Sequence, residues 1–253
     1  MLQRTAALPL LLAAALAIGW SPGTPAATAD AAAPSDADLA GKTCSISEER
    51  FLPADYYYCL AAQTYGQGRY REAQRFFATA AGWASKPAQY VLGVMALHGD
   101  HQPANRPLAL AWLALAAERH REDFEAAYRA AYASASPTER AQADTLLGTM
   151  RATYGDDVAA TRAERRYRDG MAAIEHADRL NSIHCLSGIE TGGRSAVNSS
   201  NPAASSVACA QVPQLTQVID RTAAEVFDGW SGHVSVGPLQ QAGTAAPAGP
   251  QAH

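Results

Sequence analysis

AQYVLGVMALHGDHQPANRPLALAWLALAA, residues 88–117, decides the fold of this 253-residue chain. Its first part, Ala88-Gln89-Tyr90-Val91-Leu92-Gly93-Val94-Met95, is apolar at helical spacing and runs to Gly99. Glycine there permits the turn between two paired helices. A longer loop holding Pro103 follows, and then Ala109-x-x-Trp112-x-x-x-Ala116-Ala117. Upstream, from position 73, the chain reads Ala73-x-x-Phe76-x-x-x-Ala80-Ala81, the same order of small, large and small residues on one helical stripe. Small residues let neighbouring helices approach, and the aromatic fills the gap between pairs. The helices before these two also correspond: Leu60-Ala61 leads to Gly68 as Leu92-Gly93 leads to Gly99.

These residues resemble the tetratricopeptide and Sel1-like repeat family. Leu60, Ala61, Gly68, Tyr70, Ala73, Phe77 and Ala80 fall where the tetratricopeptide pattern wants them, and Ala88 to Ala117 follows the Sel1-like pattern. The resemblance covers roughly Asp55 to Glu118. Glu122 to Met150 has the length of a third unit without the Leu-Gly and Gly landmarks, and reads as a degenerate or capping unit. The resemblance implies an all-α chain, an α-α superhelix of antiparallel helix pairs whose concave surface holds another protein or peptide. Physics supports the stacking separately, since each pair has an apolar face it cannot bury alone.

Working outward, helices are expected from Pro53 to about Gln67, Arg69 to Ala84, Pro87 to His98, Arg106 to Arg119 and Glu122 to Ala135. Ser136-Pro137-Thr138-Glu139 is a capping box with proline at the first helical position, and opens a helix to about Thr153. A long arginine-rich helix runs from Asp156 to about Leu180. The organisation expected is therefore repeats over 53–153 and a capping helix over 154–186. Residues 187–253 read as low-complexity, with one amphipathic helix from Pro213 to Phe227, a short strand at His233 to Val236 and a disordered tail.

The N-terminus carries an export signal. Arg4 precedes an apolar run from Ala6 to Ile18, and Ala27-Thr28-Ala29 fits a cleavage site, making 1–29 the signal and 30–52 a flexible leader. The run is too short to span a membrane, so no stable span remains after cleavage and the protein is expected in the periplasm or outside the cell. Four cysteines, Cys44, Cys59, Cys185 and Cys209, then point to two disulfides with three pairings open, the neighbour pairing Cys44–Cys59 and Cys185–Cys209 being preferred.

Composition narrows the function. The net charge is −4 and no long basic run exists, which argues against nucleic acid as a partner. Gly229-Trp230-Ser231-Gly232-His233 lacks the G-x-S-x-G pattern of a serine elbow. His98 and His101 have no zinc-site spacing and read as solvated loop residues, while Glu122-Asp123 and Asp156-Asp157 sit at helix starts where negative charge favours the dipole. No catalytic, metal or cofactor site is therefore expected. Arg162, Arg165, Arg166 and Arg168 are weighed as an anionic docking patch against an ordinary solvated face. Tyr57, Tyr65 and Tyr90 are the candidate partner-binding residues. Leu60, Gly68, Ala73, Phe76, Ala80, Leu92, Gly93, Gly99, Ala109, Trp112 and Ala116 are the candidate packing residues. The expected function is a non-catalytic protein-interaction scaffold or adaptor of the cell envelope. The alternative is an envelope hydrolase acting on cell-wall or β-lactam-like substrates, which would need a convergent polar triad or metal cluster. A third reading has Val212 to Val236 docking onto a partner.

Overall fold

A computed structural model describes residues 33–179, 184–187, 207–210 and 212–230. The expected export signal over 1–29, the expected strand at His233 to Val236 and the tail lie outside the described residues. Helices dominate: α1 (Asp36–Ala40), α2 (Pro53–Gly66), α3 (Tyr70–Gly82), α4 (Lys86–His98), α5 (Arg106–Ala116), α6 (Glu122–Ala133), α7 (Pro137–Tyr154), α8 (Asp156–Arg179) and α9 (Val212–Val226). Two short 3-10 turns, Ile46–Arg50 and Ala117–Arg119, join them. The strands β1 (His184–Ser187) and β2 (Val207–Ala210) pair antiparallel, with Cys185 opposite Cys209.

The chain forms two helical hairpins, α2–α3 and α4–α5, with α7 laid on α5. Both hairpins close on small residues. Ala61, Ala73, Ala80, Ala109 and Ala116 are fully buried. A Cβ added at Gly93 would lie 2.8 Å from the Leu113 Cγ, so only glycine lets α4 approach α5 this closely. Gly68 and Gly99 take φ of +75° and +73°, the left-handed conformation that turns each helix pair.

The repeat seam differs in one position from its sequence reading. Phe76 is half-buried and stacks on Tyr57, while Phe77 sits in the core. In the next hairpin both positions are buried: Trp112 joins the core that holds Phe77 and meets Tyr154 edge-on, and Leu113, the counterpart of Phe77, packs in a neighbouring core with Leu110 and Ala131. In both helices the residue four after the seam alanine is buried, whereas the aromatic three after it is half-buried in α3 and buried in α5. Leu60 is half-buried and Leu92 is buried.

Two expectations on the flanks are corrected. The leader is not flexible throughout. The Ser35 side chain caps α1, which packs where Gly66 leaves no room for a side chain, and Phe51 and Leu52 are buried. The helix expected from Asp156 to about Leu180 is described over Asp156–Arg179, whereas residues 184–187, inside the expected 154–186 capping segment, are strand. The low-complexity region does hold the amphipathic helix. Leu215, Ile219 and Ala223 of α9, with Phe227 just after it, bury against Phe51, Leu52, Ala163 and Ile174, forming a second apolar core.

Helix ends leave orphan carbonyls, and buried polar side chains satisfy them here. Gln89, fully buried, donates to the Ala81 and Tyr154 carbonyls at the ends of α3 and α7. Lys86, only 3% exposed, donates to the Leu115 carbonyl and pairs with Glu118 and Asp156. Arg119 holds Asp156 through two hydrogen bonds of 2.8 and 3.0 Å and donates to the Val226 carbonyl at the end of α9. This network ties α4, α5, α8 and α9 at one junction. The Cys44–Cys59 disulfide, with Cα atoms 5.8 Å apart, pins the leader to α2. No helix among the described residues is long and apolar enough to cross a membrane.

Candidate functional site

The turns after α2 and α4 bring together residues that are distant in sequence. Gly68 releases the chain from α2 and starts α3 at Tyr70, while Gly99 delivers Asp100 and His101 to the same place. The Tyr65 hydroxyl donates to Asp100 Oδ2 at 2.8 Å. Asp100 Oδ1 lies 3.3 Å from His101 Nε2. The His101 ring stacks on Tyr70, with planes 7° apart, and Tyr65 meets both rings edge-on. Burial first and the bond to Asp100 second push the Tyr65 phenol up to about 12, so it remains a donor at neutral pH. His101 has a backbone φ of +50°, uncommon for a residue with a Cβ and sustained here by these contacts.

Beside this aromatic cluster lies an open cleft of about 430 Å³, lined by Gly68, Arg69, Tyr70, Arg71, Glu72, Arg75 and His101. Arg69 pairs with Glu72 at 2.8 Å. Arg71 and Arg75, four residues apart on one face of α3, are exposed.

A second polar pocket, about 190 Å³, lies at the ion-pair junction. Asp55 and Tyr58 of α2, Lys86 of α4, Arg119, Arg121 and Glu225 of α9 line it. Next to it, burial and the neighbouring Asp55 carboxyl push Glu48 up to about 7. Burial also raises Asp55, against the hydrogen bond from Glu48.

The three candidate tyrosines do not form one groove. Tyr57 donates to Glu49 at 2.7 Å and stacks on Phe76. Tyr90 stacks on Phe124 of α6, 5.1 Å between ring centres. Tyr65 packs edge-on behind Tyr70 and His101, which line the cleft. The arginines of α8 also separate: Arg162 donates to the Gly82 and Thr153 carbonyls and covers Trp83, Arg168 pairs with Glu164, and Arg165 and Arg166 are exposed. Of the serine-elbow residues, Trp230 packs into the α9 core. No group of three metal-ligating side chains occurs among the described residues.

His101 is the residue that the sequence reading passed over. Its spacing from His98 carries no metal pattern, and its partners Tyr65 and Tyr70 lie more than thirty positions away. The one sequence signal was Asp100 beside it, after a turn glycine.

The chain matches no protein-family model, no curated protein and no solved structure.

Proposed function

We propose that the chain is an exported interaction module of the tetratricopeptide and Sel1-like kind, a short superhelix of helical pairs that holds a protein or peptide partner in the cell envelope without catalysing a reaction. The observation that carries this reading is the pair of helical hairpins closed on matching alanine seams, with an aromatic cluster presented at their turns. A disulfide in the leader fits an oxidising compartment. Aromatic rings held by neighbours lose little freedom on binding, which suits them as partner anchors.

The test is crosslinking and affinity capture from the envelope fraction with tagged protein, beside Tyr65→Ala and the packing variant Trp112→Ala. A protein captured by the wild type, lost with Tyr65→Ala at unchanged helicity, and rebound when purified supports the module. Capture of nothing by folded wild type, with turnover in a screen of cell-wall substrates, sinks it in favour of a hydrolase.

A further inference from the structure

We infer that the cleft at the start of α3 binds an acidic segment of a partner protein, its carboxylates on Arg71 and Arg75 and its backbone against the Tyr70–His101 stack. This rests on the interaction-module reading and gives that partner a chemistry.

Charge at the cleft is uneven. Among its lining residues, Glu72 is engaged by Arg69, which also donates to Gln67. Arg71 and Arg75 have no ion pair among the described residues and stand exposed on one helical face. Two guanidinium forks are thus left for a ligand, and the planar fork is the group that takes a carboxylate through two parallel hydrogen bonds. The first turn of α3 opens on the same cleft, and its dipole adds to the preference for negative charge.

The floor is held before any ligand arrives. Tyr65 fixes Asp100, Asp100 lies against His101, and His101 covers Tyr70, so the rings need not be ordered on binding. Gly68 leaves the entrance clear, since a Cβ there would meet nothing within 4 Å. The strained backbone of His101 is held at this cleft, the place where strain signals a function.

The size and charge select the partner class. The cleft of about 430 Å³ is open to solvent along α3, which suits a short segment lying across it rather than an enclosed small molecule. A chain of net charge −4 offers no long-range attraction to any anionic partner, so recognition of an acidic segment rests on the local guanidinium groups of Arg71 and Arg75. An extended peptide repeats its side chains on one face about every 6.5–7 Å, and Arg71 and Arg75 have Cβ atoms roughly 5–6 Å apart. Alternate acidic side chains therefore reach both guanidinium groups.

The experiment uses the mature chain with its disulfide intact and a fluorescein-labelled hexaglutamate peptide, followed by fluorescence anisotropy. Hexaserine and hexalysine serve as controls, as do a thymidine oligonucleotide and phosphatidylglycerol vesicles. The expected result is saturable binding of hexaglutamate alone, weakened at least tenfold in Arg71→Ser/Arg75→Ser. The matched removal of two exposed charges on α8, Arg165→Ser/Arg166→Ser, should change it less than twofold. Both double variants alter exposed side chains, and unchanged helicity verifies their folding. No binding up to millimolar peptide, equal loss in the two double variants, or tighter binding of the oligonucleotide or vesicles overturns the inference. Capture of an envelope partner that depends on Tyr65 but not on Arg71 and Arg75 would leave the module standing and remove the acidic segment.

Discussion

Gly148, Gly93 and Gly66 make a test of the packing, because one faces open space, one a buried side chain and one the backbone of a short flanking helix. Glycine costs about 1 kcal/mol relative to alanine in a helix interior, so Gly→Ala stabilises wherever the new methyl fits. At Gly148 on α7 nothing lies within 4 Å, and Gly148→Ala should raise stability by about 0.5–1 kcal/mol. At Gly93 the methyl would meet Leu113 Cγ at 2.8 Å, Cδ2 at 2.9 Å and the backbone nitrogen at 3.3 Å. Leu113 is 1% exposed and has nowhere to go. Overpacking of this kind costs roughly 1–3 kcal/mol, enough to outweigh the helical gain. Gly93→Ala should therefore be neutral to about 2 kcal/mol destabilising, and the two variants should differ by about 1–3 kcal/mol. In melting temperature that is about 2–4 °C for each kcal/mol in a chain of this size. At Gly66 the methyl would run into the Ala40 and Asp36 backbone, but α1 buries no residue, so Gly66→Ala should free α1 and leave the global midpoint almost unchanged. Urea unfolding followed by circular dichroism measures the first two, and amide exchange across Asp36–Ala40 measures the third. If Gly93→Ala proves as stable as Gly148→Ala, the α4–α5 seam is not packed as described.

Removing the leader disulfide with Cys44→Ser/Cys59→Ser reopens a loop of 15 residues and should cost about 3 kcal/mol in a urea titration. With Cys185 opposite Cys209 in the ladder, intact mass after alkylation without reductant should show two disulfides, and four alkylated thiols would refute the pairing. The Glu48 carboxyl, raised from 4.5 to about 7 by burial and then by Asp55, binds a proton in the folded chain that the unfolded chain has released. Its stability is full below pH 4.5 and is lost as pH rises through about 7. Urea midpoints should fall across that window and flatten in Glu48→Gln, whereas an unchanged slope would clear Glu48 of the effect. Arg119→Met strips Asp156 of its bidentate partner and the Val226 carbonyl of its donor, while Lys86 still faces Asp156, and should cost about 2–3 kcal/mol with faster amide exchange at the end of α9. The Thr64 hydroxyl is buried and finds no hydrogen-bond partner among the described residues, so Thr64→Val should stabilise by about 1 kcal/mol, and a loss instead would reveal a partner for that hydroxyl.

The hairpins were legible because their signal is local. Periodicity, turn glycines at Gly68 and Gly99, and the Ser136 capping box each depend on residues within one or two turns, and all three stand in the structure. The choice between Phe76 and Phe77 was not legible, since i+3 and i+4 positions share a stripe until a neighbouring helix divides it. Order in the leader was hidden for another reason. Phe51 and Leu52 look like loop residues until α9, more than 150 positions later, covers them. Nothing within a turn of Lys86 or Arg119 marks them for burial, which their distant partners Glu118, Asp156 and Val226 make possible. The His101 cluster joins two turns in the same way, by a contact that no window along the chain contains.

The position of α9 bears on where a partner sits. An amphipathic helix after a Gly- and Ser-rich stretch invites the reading that it docks onto another protein. Here its apolar face is already spent: Leu215, Ile219, Ala223 and Phe227 bury on α8 and on the residues before α2, and Arg119 holds its final carbonyl. Deleting the helix would expose Phe51, Leu52 and Ile174 along with it. Burial of one such side chain is worth about 1.5–3 kcal/mol, so the deletion should destabilise the fold as well as change binding. A truncation that loses a partner would therefore not place the partner on α9. Exposed substitutions at Arg71 and Arg75 avoid this confusion, because they remove charge from a cleft without removing support from a core. That asymmetry separates a helix the fold uses internally from a surface it leaves free.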